Sequence, residues 1–159
     1  LRRRYYLRAG QYDEAVDLYE RCLEGVFSDD PILTLEFAYA LFLQGNYEQA
    51  KQHLDRLANL DLGIRAPDRN LLDARTLEQM GDLDAALIAY EKALSGSRGE
   101  ETHCRYAALL EKAGRADEAK RVYEDILRRA RRAPGHYRRA EREWISTAQR
   151  ALYRIQHPS

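Results

Sequence analysis

Apolar residues recur at spacings of three and four along this chain, and the pattern restarts at a regular interval. In one stretch Phe37, Ala38, Leu41 and Phe42 share a helical stripe, Gly45 interrupts it, and Tyr47, Ala50, Leu54 and Leu57 resume it. The alternation returns as Leu71, Ala74 and Leu77 before Gly81, with Leu83, Ala86, Leu87 and Tyr90 after it. It returns again as Tyr106, Ala107 and Leu110 before Gly114, with Ala119, Tyr123 and Ile126 after it. One cassette marks each turn: Gly10-Gln-Tyr12-Asp-Glu-Ala15, Gly45-Asn-Tyr47-Glu-Gln-Ala50, Gly81-Asp-Leu83-Asp-Ala-Ala86 and Gly114-Arg-Ala116-Asp-Glu-Ala119. The four glycines lie 35, 36 and 33 residues apart. Such spacing predicts amphipathic helices, and a period of this length predicts stacked helical hairpins rather than one core wrapped around an active site.

The helix ends have their own signals. Asp29 or Asp30 is placed to cap a helix opening with Pro31, whose missing N–H costs nothing there. Gly45 suits the left-handed residue that ends this helix, and Asn46 then caps the next, as Asp82 does after Gly81. Small residues recur across each turn, where paired helices approach: Ala38 with Ala50, Ala74 with Ala86, Ala107 with Ala119. Ala133-Pro134-Gly135 then breaks the chain, and one last helix is expected over residues 134–157. On it Arg138, Arg142, Arg150 and Arg154 follow i+4 steps, while Ala140, Trp144, Ala148 and Leu152 lie about 200° around. One face is basic and the other packs, as a repeat array needs at its end.

These residues resemble the tetratricopeptide repeat family. Its pattern of Gly-x-Tyr-x-x-Ala, a later aromatic and a small residue reads here as Gly10, Tyr12, Ala15, Tyr19, Cys22 and Leu23, and as Gly81, Leu83, Ala86, Tyr90, Ala93 and Leu94. The resemblance covers about residues 1 to 130. It implies an all-α, right-handed α-solenoid of four tetratricopeptide-like helical hairpins plus a C-terminal capping helix. The repeats fall at about 1–28, 31–60, 67–96 and 100–132, forming an array over 1–132, with the cap at 134–157. The family's early Trp is Thr34, Asn70 and His103 here, and its closing Pro is Phe27, Leu62 and Arg98, so slightly irregular junctions are expected. The family is one of adaptors, which implies a non-catalytic protein–protein interaction scaffold and no particular activity.

Helix Pro31–Gln44 departs from amphipathic patterning, because Leu35, Tyr39 and Phe42 add a second apolar stripe. A helix apolar on every side is either buried on every side or offers a face to a partner, and both readings stand at this point. In the resembled family this stripe lines a concave groove. That implies a peptide or helix partner on Leu35, Tyr39, Phe42, Leu71 and Arg75, with Arg4, Leu7, Arg8, Glu78, Cys104, Ala108 and Glu111 at corresponding positions. Some members clamp a partner's C-terminal carboxylate with Asn; those positions are Arg4, Tyr39, Arg75 and Ala108 here, which argues against that chaperone-adaptor role.

Composition changes the picture only at the tail. The chain is 33% charged and 45% hydrophobic, a soluble helical balance, and no apolar run nears the roughly 20 residues a bilayer span needs. Net charge is zero, yet residues 120–159 hold 11 basic and 4 acidic side chains, against 15 and 22 elsewhere. The basic face therefore supports an alternative function, a helix contacting anionic lipid; the plainer reading is a solvated cap. Nucleic acid is not expected, since no aromatic platform sits among the arginines. The segment from Ala133 to Ile145 is similar to the ending of bacterial, membrane-anchored tetratricopeptide proteins, which implies a cytoplasmic domain anchored through residues upstream of Leu1. The opening Leu1-Arg2-Arg3-Arg4-Tyr5-Tyr6, without Met, suggests a piece of a longer protein, with self-association through an edge at Tyr5, Tyr6, Val16 and Tyr19.

Candidate chemistry is sparse. Cys22 and Cys104 lie too far apart in the array for a disulfide, and His53, His103, His136 and His157 are scattered. Ser95-Gly96-Ser97-Arg98-Gly99 lacks a phosphate-loop ending and reads as a flexible junction. Carboxylate pairs such as Asp13/Glu14 and Asp117/Glu118 fall in helix first turns, where the macrodipole favours them. No catalytic residue, cofactor or metal site is expected.

Overall fold

Glycine and aspartate place the helix ends as the pattern predicts, in a computed structural model that describes residues 10–159. Those residues form helices and no strand: α1 Tyr12–Leu23, α2 Pro31–Gln44, α3 Tyr47–Leu57, α4 Ala66–Gln79, α5 Leu83–Leu94, α6 Glu101–Lys112, α7 Ala116–Arg132, α8 Gly135–Ala140 and α9 Arg142–Gln156. The chain divides into two compact units, the first ending at Ala86 and the second beginning at Leu87. Arg4, Tyr5, Tyr6, Leu7 and Arg8 lie outside the described residues.

One turn chemistry recurs. Gly45, Gly81 and Gly114 take φ values of 90°, 84° and 78°, a conformation glycine adopts without steric cost. After α2 the Asn46 N–H donates to the Leu41 carbonyl at 2.8 Å and the Gly45 N–H to Phe42 at 3.0 Å. Asp82 and Gly81 do the same to Leu77 and Glu78, and Arg115 and Gly114 to Leu110 and Glu111, satisfying the last carbonyls of each first helix. Asp30 is the cap of α2, accepting from the Ile32 and Leu33 amides at 2.9 and 3.1 Å. Asp82 accepts from Ala85 at 3.2 Å. Asn46, expected to cap α3, makes no side-chain cap bond; the backbone bond to Leu41 fixes its position instead.

In the first unit α2 packs on α1 and α3, and α3 on α4. Ala15, Tyr19, Ala38, Leu41, Ala50 and Leu54 are fully or almost fully buried, so the small and aromatic repeat positions form the core. Burying a tyrosine ring leaves its hydroxyl needing a partner; that of Tyr19 donates to Glu36 Oε2 at 3.1 Å. Arg69 is buried too, and its Nε and a terminal nitrogen donate to the Leu54 carbonyl at 3.2 and 3.1 Å, capping the end of α3. The junction after α3 is irregular, as expected: a 3₁₀ turn at Gly63–Arg65 leads into α4.

In the second unit α6 packs on α7, and α9 packs chiefly on α7 and also on α6. Ala107, Ala119, Tyr123, Ile126, Ala148 and Leu152 are buried. The single helix expected over 134–157 is instead two, α8 and α9, broken at Glu141 with φ −101° and ψ 14°. At this break a long-range bond ties the chain back to the start of α6: Glu141 Oε1 accepts the Glu100 N–H at 2.5 Å. Ala140, expected to pack, is exposed.

Candidate functional site

The expected groove residues lie on α2 and α4 of the first unit, but they are not alike. Leu35 and Phe42 are buried within the chain, at 2% and 7% exposure, while Tyr39 between them is 38% exposed. The second stripe of α2 therefore splits: its ends join the core and its middle residue faces out. Leu71 and Arg75 on α4 are half-buried. The Arg75 guanidinium lies 4.7 Å from the centre of the Phe42 ring, and the Tyr47 ring meets that ring edge-on at 5.5 Å. A guanidinium held on an aromatic face is restricted in its rotamers while keeping donors free for a ligand.

The basic positions of the second unit do not form the expected line. Arg138 sits on α8, where it donates to the Ala133 carbonyl at 2.6 Å, while Arg142, Arg150 and Arg154 sit on α9 beyond the break. Arg154 is engaged with Glu111, through 2.7 and 3.3 Å bonds. Burial raises the Glu111 carboxyl, but the bonds from Arg154 and from the Tyr123 hydroxyl (2.7 Å) outweigh it and hold the group below the usual range. Arg138, Arg142 and Arg150 are exposed.

A polar cluster unforeseen from sequence lies at the start of α6. Glu100 is 1% exposed and receives Arg129 at 2.9 and 2.8 Å and the Tyr137 hydroxyl at 2.8 Å. Burial, then the Glu100 bond, pushes the Tyr137 hydroxyl up to about 12. Its members come from the residue before α6 and from α7 and α8, so the charge-assisted bonds to Glu100 tie these helices together. No periodic signal marks it; the run of Arg128, Arg129, Arg131 and Arg132 opposite one buried acid was the available hint.

Burial pushes the Cys104 thiol up to about 11, away from the thiolate that a nucleophile or metal ligand needs. Among the described residues no group of three or more His, Cys, Asp or Glu is arranged to hold a metal ion, and no helix is long and apolar enough to cross a membrane.

Two family models described as tetratricopeptide repeat match, over residues 6–66 and 74–95, and together span just over half of the chain. A crystal structure of MamA is similar with TM-score 0.67 at 15% identity, covering 96% of this chain and 91% of that one. Podosopora anserina putative kinesin light chain nearly identical TPR-like repeats are similar with TM-score 0.71 at 20% identity, covering 97% and 85%. At these identities the likeness is one of fold. A search of curated proteins gives no match. The repeat fold supports a protein–protein interaction scaffold, generally a non-catalytic one. From its repeated turns, its buried consensus positions and these matches, the chain belongs to the tetratricopeptide repeat family.

Proposed function

We propose that this scaffold binds a peptide or helix on the groove face of its first unit, with Tyr39, Leu71 and Arg75 as the contact residues and Leu35 and Phe42 as their packed base. The observation that carries this reading is Tyr39: a large aromatic, 38% exposed, on a helix whose other large side chains are mostly buried. Tyrosine and arginine are among the side chains that most often anchor interfaces, and the Arg75 guanidinium is held here on the Phe42 ring. Capture from lysate of the source cells with wild type, Tyr39→Ala and Arg75→Ala tests it. The same protein should be recovered by wild type and lost with both variants while their helicity is unchanged; equal recovery by all three overturns the reading.

The alternative is a cytoplasmic domain of a membrane-anchored protein whose C-terminal arginines rest on anionic lipid. It is favoured by one observation: Arg138, Arg142 and Arg150 are exposed and none has a carboxylate partner among the described residues. Each arginine near an anionic surface contributes about 1 kcal/mol. Sedimentation with phosphatidylserine vesicles at low salt, reversed by Arg142→Glu/Arg150→Glu, supports this alternative, and a domain left in the supernatant rules it out.

A further inference from the structure

We propose that the first unit carries a second binding surface, a cleft between α1 and α3 that takes a basic peptide segment bearing an apolar anchor. The cleft has a volume of about 690 Å³ and opens where the last turns of α1 and α3 flank the start of α2. Leu23, Phe37, Leu57 and Leu60 supply its apolar lining, with Phe37 5% exposed. The His53 ring lies 4.9 Å from the Phe37 ring, and its Nδ1 is buried without a hydrogen-bond partner. Burial, then Arg56, holds this imidazole below its usual range, so it stands neutral at pH 7. A buried ring nitrogen without a partner is unfavourable until a donor or acceptor from a ligand's backbone reaches it.

Charge selects the occupant. Glu20, Glu24 and Asp29 line the cleft with no ion pair among the described residues, against Arg56 alone of opposite sign. An apolar cleft ringed by uncompensated carboxylates attracts a cationic partner and repels an acidic one. The same sign disfavours an anionic bilayer. The apolar surface also continues past the cleft: Val26 and Phe27, on the loop forming one wall, are 96% and 54% exposed, and Leu60 is 52% exposed. That extent suits a peptide rather than a compact small molecule. Tyr39 and Arg75 take no part in the lining, so this surface is independent of the groove.

The test uses the whole chain and three fluorescein-labelled hexapeptides, Lys-Leu-Phe-Lys-Lys-Leu, Glu-Leu-Phe-Glu-Glu-Leu and Lys-Ser-Ser-Lys-Lys-Ser, in anisotropy titrations. The first should bind at least about tenfold more tightly than either of the others. Glu20→Lys/Glu24→Lys should weaken it by about tenfold and Phe27→Ser by several-fold, whereas Tyr39→Ala should leave it unchanged. Asp84→Lys/Asp117→Lys, the same charge change outside the cleft, should move it less than about twofold. Thermal midpoints confirm that each variant folds. The proposal is overturned if the wild type binds none of the peptides, if all three bind equally, or if the outlying charge pair weakens binding as much as the cleft pair does.

Discussion

The carboxylate of Glu141 occupies the space that a side chain on residue 99 would need: a Cβ added to Gly99 would stand 1.9 Å from Glu141 Oε1 and 2.8 Å from its Cδ. With no side chain at position 99, Glu141 reaches the Glu100 N–H, and it does so at the break between α8 and α9. Gly99→Ala should push the carboxylate off that amide and destabilise the second unit by about 1–3 kcal/mol, the usual effect of leaving a buried donor without its acceptor. Trp144, the single tryptophan, reports urea unfolding of this unit. Because both changes remove one bond, Gly99→Ala/Glu141→Ala should cost no more than the larger single change; additive effects would show that the two residues act separately.

Glu100 and Glu111 are both carboxylates bound by arginine and tyrosine, yet they should differ in weight. Glu100 is 1% exposed, while the Glu111 side chain is 18% exposed and its partner Arg154 is 64% exposed. Removing one member of a buried pair costs about 3–5 kcal/mol; since Arg129 is 42% exposed, Glu100→Ala should cost nearer about 2–3 kcal/mol. Glu111→Ala should cost less, about 1–2 kcal/mol, because the exposed Arg154 contributes little while the buried Tyr123 loses its hydroxyl acceptor. Urea unfolding of the two variants checks the order, and a larger loss at Glu111 would contradict it.

The turns were legible in the sequence because they are local. A left-handed residue after a helix calls for glycine, and its two backbone bonds span only a few residues, so Gly45, Gly81 and Gly114 announce themselves. Ala38, Ala50, Tyr90 and Ala107 were legible for a similar reason: helical periodicity places them inward. Periodicity could not say that Leu35 and Phe42 would be covered while Tyr39 was not, since apolar character marks a face without naming what lies over it. The Glu100–Glu141 bond joins residues 41 apart and leaves no spacing to read. The straight line of arginines failed with it, because i+4 counting assumes an unbroken helix.

Gly45 ends the helix that carries Tyr39, at φ 90°. No atom crowds a Cβ there, so Gly45→Ala isolates backbone strain from packing. It should lower stability by about 1–2 kcal/mol, the penalty for a left-handed L-residue. Thermal unfolding followed by circular dichroism measures this, and a neutral substitution would mean that the turn relaxes to another conformation.

Stability should fall in mild acid. His53 and His103 both have rings held below the usual 6.5, burial being the larger cause in each and a nearby arginine the next. Below about pH 6.5 the unfolded chain takes up these protons before the folded one does, so folding stability is full above that pH and declines as pH drops towards the folded values. The urea midpoint should therefore decrease between about pH 7 and pH 5. For the Trp144 signal, His103→Asn should flatten the slope; an unchanged slope would assign it to other groups.

The proposed groove places a partner over Tyr39. Its most direct measurement replaces Tyr39 with the photo-crosslinker p-benzoylphenylalanine and irradiates the protein in its source cells, with Tyr153, 66% exposed on α9, replaced in parallel. Position 39 should yield one discrete covalent adduct, lost on adding Arg75→Ala, and position 153 should not yield that adduct. The same adduct from position 153 and none from position 39 would place the partner elsewhere and contradict the groove.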